Sequence, residues 1–263
     1  MLHFVERHFS LAIIISIAIL FFVYAILPAI ATLGLGIGVY KRRPIRHGLA
    51  FTFDDGPDPI YTPQLLDLLK KYNIKATFFT LGSKVEKYPN LIRRMHLEGH
   101  SIGVHNYVHK SNWFRSPWAI RRELNQSASL IEQITGVRPI FYRPPWGLLN
   151  LFDFGLRKHF QIILWSLMVG DWKSKGGSDR IKKNLLQNIK DGDIILLHDS
   201  GDTFGADIDA PSFTIEALEY VFQSVLQQGY QCMRVDEMLQ QKAFLPVVSL
   251  QIQSSPKQDR LGS

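Results

Sequence analysis

An uncharged stretch near the amino terminus places the strongest constraint on how this chain can fold. No charged residue and no histidine occurs from Ser10 to Tyr40, where Ile, Leu, Phe, Val and Ala dominate. About 20 apolar residues of helix cross the hydrocarbon core of a bilayer, and this stretch supplies more. It also exceeds the apolar core of a cleavable signal peptide, which is typically about 7–15 residues long. The stretch therefore predicts one transmembrane helix, kinked at Pro28.

Two other interpretations of this stretch stay open. Small residues at Ala29–Ala31 are of the kind that a signal peptidase accepts, in which case the segment would be removed. A buried core helix would also be apolar, but the length of the stretch disfavours it. We expect residues 1–46 to form an uncleaved anchor, in which residues 10–40 contact membrane lipid.

The distribution of charge favours lipid over nucleic acid as a partner. The 263-residue chain carries a formal net charge of +7. Glu6 and Arg7 cancel, and the next charged residues form one basic cluster: Lys41, Arg42, Arg43 and Arg46. The rest of the excess is spread thinly, so no polyanion-binding face is expected, whereas the cluster suits anionic lipid headgroups. A single cysteine, Cys232, excludes an internal disulfide framework and a cysteine-rich zinc site.

Beyond residue 46, short apolar runs alternate with helical patterns. Seven runs are strand-like: Leu49–Phe53, Ala76–Thr80, Ser101–Val104, Ile140–Tyr142, Ile162–Ser166, Asp193–Leu197 and Gln231–Arg234. Between the first two, Thr62 and Pro63 predict the N-cap and first residue of a helix. This alternation predicts right-handed crossovers and a parallel sheet in one α/β domain over residues 47–245, either a barrel or an open sheet. Residues 246–263 are predicted to form a loose polar tail.

Candidate metal ligands follow the first and third of these runs. Active sites of α/β barrels lie at the carboxyl ends of the strands, and Asp54 and Asp55 come at the end of the first run. On a turning backbone one carboxylate can hold a metal while the other moves a proton, although an ordinary Asp-Asp-Gly-Pro turn uses the same residues. His105 and His109 follow the third run, and the i, i+4 spacing places them on one face if the segment is a helical turn. Two imidazoles and a carboxylate are typical of catalytic zinc.

Further polar residues follow the later runs. Arg143 and Trp146 come after the fourth run, Asp171 after the fifth and His198 after the sixth. A histidine at a strand end is a candidate general acid near neutral pH. Each of these residues alone is explained by ordinary hydrogen bonding. Their concentration at one rim is hard to explain by packing and favours an active site.

A second motif suggests a different enzyme class. Gly99–Gly103 matches the G-x-S-x-G elbow of serine hydrolases, with Ser101 as the nucleophile. Such an elbow follows a buried strand and opens a helix. Here a charged helix end precedes the motif and strand-like residues follow it, so the context is inverted. The sequence therefore disfavours a serine hydrolase.

Five of these segments, taken in order, resemble the motifs of the polysaccharide deacetylases, also called carbohydrate esterase family four or the NodB homology domain. The segments are Thr52–Pro57, His105–His109, Arg143–Gly147, Asp171–Trp172 and Leu196–His198. The match spans most of residues 47–240, and five ordered motifs are far more specific than any one. The resemblance implies a distorted (β/α) barrel of about seven strands. Two residues depart from the usual pattern: Asn106 replaces serine or threonine, and Trp146 replaces a frequent tyrosine.

The resemblance also implies a role for each site residue. Asp54 resembles the family's catalytic base, and His198 resembles its general acid. Arg143 and Asp171 resemble the residues that orient these two groups. Asp55, His105 and His109 resemble the three ligands of its divalent metal. Trp146 resembles the residue whose backbone N–H stabilises the oxyanion, and Leu196 resembles the leucine that lines the acetyl pocket. The metal is expected to be zinc, with cobalt as an alternative.

The implied activity is hydrolysis of the acetamide of an N-acetylated sugar in a cell-wall or surface glycan or its lipid-linked precursor. Alternatives are removal of an acyl group from another amide or an ester, and a catalytically silent protein that binds glycan. No nucleic acid and no obligate protein partner are expected. The basic cluster after the apolar stretch would keep the domain in the cytoplasm, whereas the resemblance is to enzymes that mostly modify extracytoplasmic glycans. We expect an extracytoplasmic domain on a single-pass anchor.

Overall fold

The computed structural model describes residues 2–240, so the predicted polar tail lies outside the described residues. Eight strands form one parallel sheet: β1 (Gly48–Asp54), β2 (Thr77–Thr80), β3 (Ser101–Val104), β4 (Phe141–Tyr142), β5 (Gln161–Ile162), β6 (Leu167–Met168), β7 (Asp193–His198) and β8 (Gln231–Cys232). Their order is β5-β4-β3-β2-β1-β7-β6, and β8 pairs with the start of β1.

The helices surround this sheet. They are α1 (Leu2–Phe21), α2 (Leu27–Ala29), α3 (Tyr61–Lys71), α4 (Gly82–Lys87), α5 (Pro89–Leu97), α6 (Pro117–Thr135), α7 (Gly177–Asn188), α8 (Ala210–Gln227) and α9 (Val235–Gln240). Short 3₁₀ helices cover Asn112–Phe114, Pro145–Gly147 and Leu151–Lys158. The described residues therefore alternate strands and helices, as the sequence predicts.

The sheet curls into a distorted barrel because its two edges are consecutive in the chain. β5 and β6 lie at opposite ends of the strand order, yet only residues 163–166 connect them. The backbone N–H of Tyr40 donates to the Ile162 carbonyl at 2.9 Å, and the Leu164 N–H donates to the Tyr40 carbonyl at 2.8 Å. On the other side, the backbone N–H of Arg43 donates to the Gly192 carbonyl at 3.0 Å, next to β7. Residues 40–43 thus extend from the β5 edge to β7, and the distorted barrel is confirmed.

Two local expectations need correction. The predicted fifth strand, Ile162–Ser166, is shorter in the structure and covers only Gln161–Ile162. The short strand β6 was not predicted, because two residues are too few to show an alternation of apolar and polar side chains. Helix α3 begins at Tyr61, so Thr62 is not its N-cap. The Asp58 carboxylate instead accepts the backbone N–H groups of Ile60 and Tyr61 at 2.8 and 3.0 Å.

Strand alternation decides which side chains face the barrel interior. Phe51 and Phe53 pack in the core between the sheet and its helices. The residues that alternate with them, Ala50, Thr52 and Asp54, face the other way, since successive side chains of a strand point to opposite sides. β7 repeats this pattern with Ile195 and Leu197 in the outer core. The last inward residues of both strands are therefore polar and lie at the carboxyl end of the barrel.

The amino-terminal apolar segment is helical and partly packed on this barrel. Arg7–Gly34 is long and apolar enough to cross a membrane by length and composition, a test that a signal sequence also passes. Around Pro28 the helix continues through two π-helical turns, Phe22–Ile26 and Ile30–Gly34. Side chains at 9–20 are exposed, whereas Ala25 and Thr32 are fully buried against the rest of the protein. The first half of the apolar segment is therefore exposed on all sides, whereas the second half packs on the protein with one face and keeps side chains such as Leu27 and Ile30 exposed.

Candidate active site

Residues at the carboxyl ends of the strands enclose a cavity of about 290 Å³. Most of the predicted site residues line it: Asp54, Asp55, His105, His109, Trp146, Leu196 and His198. Arg143 and Asp171 lie behind this lining, fully buried. The structure thus brings together residues that are more than 140 positions apart. Ser101 opens β3, at the amino end of the sheet, and does not line the cavity, so the serine-hydrolase alternative has no support in the described residues.

Asp55, His105 and His109 form a group able to hold a metal ion. One ligand atom from each lies within 4.8 Å of the others. Oδ1 of Asp55 is 3.3 Å from Nε2 of His105 and 3.5 Å from Nε2 of His109. Asp55 has a φ of 74°, a left-handed conformation that aspartate adopts more readily than most residues. This turn directs its carboxylate away from the direction taken by Asp54.

The polar atoms of this group fit a cation. No hydrogen bond within residues 2–240 reaches the buried Oδ1 of Asp55, and an unpaired buried carboxylate oxygen is costly unless an ion or water satisfies it. Nδ1 of His105 lies 2.7 Å from the Arg143 carbonyl. Because a carbonyl only accepts, Nδ1 carries the proton and Nε2 keeps a free lone pair toward Asp55, which is the arrangement of a metal-ligating histidine.

The pKa values of the group agree with this assignment. Burial by itself would raise the pKa of the Asp55 carboxyl, but His105, together with His198 and His109, holds that pKa well below its usual range. Burial lowers the pKa of His109 to about 4. At neutral pH Asp55 is thus an anion and His109 a neutral imidazole, the forms in which these residues bind metal.

The histidine segment is a loop rather than the helical turn on which the spacing argument depended. Residues 105 and 106 have no regular structure, residues 107–109 adopt bends, and Asn106 has a φ of 64°. Both histidines still lie close to Asp55. The i, i+4 spacing therefore identified the correct pair, although the helical turn on which that argument depended is absent from these residues. The Asn106 side chain donates to Asn112 at 3.0 Å and accepts from the Tyr142 hydroxyl at 2.9 Å. Asparagine tolerates a left-handed φ, which explains how it can occupy this position.

Asp54 is held by a buried arginine. Nη1 of Arg143 donates to Oδ1 of Asp54 and to Oγ1 of Thr52, both at 2.7 Å. Its Nε and Nη2 donate to the carbonyls of Ile163 and Leu164. The second carboxylate oxygen of Asp54 lies 3.9 Å from Nε2 of His105 and lines the cavity. Asp54 thus presents one fixed acceptor beside the metal-ligand group without belonging to it.

His198 lies at the end of β7 in contact with Asp171. Nδ1 of His198 is 3.1 Å from one Asp171 oxygen, and the backbone N–H of His198 donates to the other at 2.7 Å. Thr214 donates to the same carboxylate at 3.3 Å. Burial lowers the pKa of His198, but the charge and hydrogen bond of Asp171 outweigh it and raise that pKa to about 9. His198 is therefore protonated at neutral pH, with Nε2 free to donate into the cavity.

An apolar wall completes the cavity. Trp165, Met168, Trp172 and Phe204 line it together with Leu196. Trp146 has a φ of 56°, and its ring lies 4.2 Å from the ring of His109. The sequence predicts functional roles for Leu196 and Trp146, whereas it did not identify Trp165, Met168 or Phe204 as residues of the site. Trp165 lies inside the predicted run Ile162–Ser166, so no strand-end position identified it.

The sequence also did not predict a role in the site for two polar residues, Thr203 and Asp199. Thr203 donates from its hydroxyl to Oδ2 of Asp55 at 2.7 Å and so fixes the candidate ligand. Asp199 is fully buried behind the β1 turn, where it accepts from Thr62, and burial raises its pKa to about 7. Both residues belong to the loop that follows β7. The polar composition of that loop gives no spacing signal.

The distorted α/β barrel thus places two carboxylates and three histidines around one cavity, and three of these residues could hold a metal ion. The family model for polysaccharide deacetylase matches residues 41–151. A peptidoglycan-N-acetylglucosamine deacetylase of Bacillus cereus is 36% identical over 200 residues, which cover 74% of this chain and 89% of that protein. This chain belongs to the polysaccharide deacetylase family.

Two further relatives support the same placement. A peptidoglycan-N-acetylmuramic acid deacetylase of Bacillus subtilis is 35% identical over 74% of this chain, which spans 39% of that longer protein. A crystal structure of a peptidoglycan N-acetylglucosamine deacetylase, in complex with 4-naphthalen-1-yl-N-oxidanyl-benzamide, superposes with a TM-score of 0.73 at 30% identity. That alignment covers 82% of this chain and 99% of the other. The predicted family and fold are confirmed.

Replacement of Asp55 by asparagine tests the metal-ligand group. We expect Asp55→Asn to weaken zinc binding at least about 100-fold, since even losing a residue that supports a ligand costs about 10–100-fold. Asp54→Asn, which alters the neighbouring carboxylate, should bind zinc within about tenfold of the unmodified protein. Competition with a fluorescent zinc chelator measures both affinities. The reverse order of the two variants would show that the two aspartates are assigned the wrong way round.

Replacement of Asp171 by asparagine tests the raised pKa of His198. A folded-state pKa of about 9, above the ordinary 6.5, stabilises the fold fully below pH 6.5 and loses this contribution as pH rises through 9. In chelator, Asp171→Asn should therefore lower the free energy of unfolding by more than about 1 kcal/mol at pH 6. The deficit should shrink by pH 9.5 in denaturant titrations. A deficit that does not change with pH would contradict the role of the Asp171 charge.

Proposed function

We propose that this protein is a metal-dependent deacetylase that removes acetyl groups from N-acetylated sugars of a cell-wall glycan. The observation that carries the proposal is the separation of three chemical groups around one cavity. Asp55 and the two histidines form a metal-ligand group, Asp54 is a fixed carboxylate acceptor, and His198 is a protonated donor. The names of the bacterial relatives, which deacetylate N-acetylglucosamine or N-acetylmuramic acid of peptidoglycan, support the substrate class.

The proposed hydrolysis needs an attacking water, a proton acceptor and a proton donor. When bound by Asp55, His105 and His109, a divalent cation such as zinc, or cobalt in its place, would supply Lewis acidity, which lowers the pKa of a coordinated water from about 16 towards 7. Asp54 accepts the proton of the water that attacks the acetamide carbonyl. Trp146 offers its backbone N–H to the developing oxyanion, where one good donor contributes about 3 kcal/mol. His198 protonates the departing amine, and acetate leaves.

The supporting residues keep these roles separate. Arg143 fixes Asp54 through a 2.7 Å hydrogen bond and prevents its Oδ1 from turning toward the metal-ligand group. Asp171 holds His198 by Nδ1, which leaves Nε2 to face the substrate. Leu196 and Trp172 give the acetyl methyl group an apolar surface. An intact set of catalytic groups supports an enzyme over a silent glycan-binding protein.

The role of Asp54 can be tested by turnover. We expect Asp54→Asn to slow acetate release from N-acetylglucosamine oligomers and from peptidoglycan by about 10²–10⁴-fold, because a general base has been removed. Asp179→Asn is a matched control, since Asp179 is an exposed aspartate on α7 that pairs with Lys182, and it should retain full activity. A serine-directed phosphonate should have no effect. Unchanged turnover in Asp54→Asn would refute the proposed base.

We also propose that the amino-terminal helix stays attached and that the catalytic domain lies outside the cytoplasm. Contacts between residues on either side of Ala29–Ala31 support retention: the Tyr24 hydroxyl donates to the Arg115 carbonyl at 2.7 Å, and the Phe21 ring stacks on Phe114 at 6.1 Å. Cleavage there would remove the Tyr24 contact and expose the surface that covers Ala25. The cell-wall substrates in the relatives' names support the outward orientation.

Accessibility in intact cells tests this orientation. A protease added to intact cells should cut the full chain beyond residue 46 without lysis, because the domain faces outward. A cytoplasmic marker protein should survive the same treatment. Protection of the domain until the cells are lysed would place it in the cytoplasm, as the basic cluster suggests. A lipid-linked precursor would then be the better substrate.

A further inference from the structure

Four aromatic side chains lie on three elements where the amino-terminal helix first meets the barrel. We call Trp113, Phe114, Trp118 and Phe152 the aromatic collar. Phe21 of α1 stacks on Phe114 at 6.1 Å and meets Trp113 edge-on at 5.9 Å. One turn further, Tyr24 lies 6.1 Å from Phe152. Three of the four collar side chains thus contact the helix within one turn, and Trp118 follows them in the chain at the start of α6.

The collar is exposed to an extent that packing against the protein does not explain. Trp118 is 80% exposed, Phe114 79% and Phe152 58%. Soluble proteins seldom expose contiguous large apolar patches, and such patches mark sites that bind a protein or a membrane. Tryptophan and other aromatic side chains with one polar edge are favoured at the interface between lipid and water. Trp113 and Trp118 are side chains of this kind, Phe114 and Phe152 add apolar surface, and the collar contacts the candidate span at Phe21.

The length of the free helix sets the depth of the collar. Arg7 is the last charged residue before the apolar stretch, and contact with the barrel begins at Phe21. At 1.5 Å per residue, residues 8–21 span about 20 Å, whereas the hydrocarbon core is about 30 Å thick. The free part is therefore too short to cross the core alone. A bilayer crossed by this helix therefore reaches the collar, and local thinning of the bilayer together with extension of the Arg7 side chain to the far headgroups makes up the difference of about 10 Å.

Basic residues lie beside the collar on two of the elements that carry it. Arg121 and Arg122 are exposed on α6, and Arg157 and Lys158 are exposed at the end of the 3₁₀ helix that carries Phe152. Arg121 contacts His159 at 3.1 Å and so joins the two elements. Cations around an aromatic patch complement anionic headgroups. This charge favours an anionic bilayer over a second protein as the occupant.

The collar and the cavity share one end of the barrel. Trp113 and Phe114 follow the β3 loop that carries His105 and His109, and Phe152 follows the β4 loop that carries Trp146. A Cβ atom added to Gly147 would lie 3.2 Å from Leu33, so the end of the helix packs directly behind that loop. Leu33 is twelve residues beyond Phe21, at most about 18 Å along the helix.

From these observations we propose that the aromatic collar and its basic neighbours dock into the headgroup region of an anionic bilayer and hold the catalytic cavity within about 20 Å of the membrane surface. The inference rests on the membrane attachment proposed above and adds a second contact to it. It also deepens the substrate assignment, because a cavity at this height acts on glycan close to the membrane rather than on the outer wall.

Depth-dependent quenching tests the docking in the full chain. Trp118→Cys, Ile14→Cys and Leu97→Cys are each made in a Cys232→Ser background and labelled with a fluorescent dye. Ile14 lies in the free helix, and Leu97 is an exposed control that ends α5 near the amino end of β3. The proteins are reconstituted in vesicles of brominated phosphatidylcholine with phosphatidylglycerol. Dyes at 14 and 118 should be quenched about twofold or more relative to unbrominated lipid, and the dye at 97 should not.

Three other outcomes would overturn the proposal. Quenching at 14 but not at 118 would leave a simple anchor without docking. Quenching at neither position would remove the membrane span as well. A dye at 118 that neither bromolipid nor aqueous iodide quenches would show that protein, such as a second copy of this chain, covers the collar. Acetate release from the same samples is independent of all three, so failure of docking is distinguishable from failure of the proposed deacetylase activity.

Discussion

The buried guanidinium of Arg143 is the interaction on which the site depends. It is fully inaccessible to solvent, and it donates to Asp54 and Thr52 of β1 and to the carbonyls of Ile163 and Leu164. The two carbonyls belong to the segment that connects β5 and β6 at the edges of the sheet. One side chain therefore hydrogen-bonds both to this connecting segment and to Asp54, the candidate base. Its own carbonyl accepts from His105 and thereby sets the tautomer of a candidate ligand. Removing one partner of a buried pair typically costs about 3–5 kcal/mol, so this arrangement has little freedom to change.

Around this centre the structure gives neighbouring groups opposite protonation preferences. The pKa of Asp55 is held low, whereas the pKa of His198 is raised to about 9 by Asp171. Neutral pH therefore leaves an anionic ligand and a protonated donor facing one cavity. The separation of these pKa values follows from burial and partners fixed by the strand ends, so the proposed chemistry is a consequence of the barrel.

The alternation of strands and helices predicted a parallel sheet with polar groups at its strand ends, and the resemblance to the polysaccharide deacetylases implied that the sheet forms a barrel. Asp54 and His198 end runs that alternate between core and interior, and this alternation continues to the carboxyl end of each strand. Thr203, Trp165 and Phe204 could not be predicted in the same way, since loops position them and loop conformation depends on distant packing. β6 was missed because two residues carry no periodicity. The loop conformation of His105–His109 depends on hydrogen bonds of Asn106 with Asn112, in the following 3₁₀ helix, and with Tyr142, in β4. Such contacts between elements cannot be read from the local sequence.

Anomalous diffraction at the zinc edge, from crystals of the zinc-loaded full chain, tests the central claim most directly. The claim is that Asp55, His105 and His109 hold one metal while Asp54 stays free beside it. The predicted result is a single anomalous peak about 2.0–2.2 Å from Oδ1 of Asp55 and from Nε2 of both histidines, the distances of zinc to oxygen and nitrogen ligands. Asp54 would keep its hydrogen bond to Arg143. A peak bonded to Asp54, or no peak at this group in crystals of an active protein, would contradict the account.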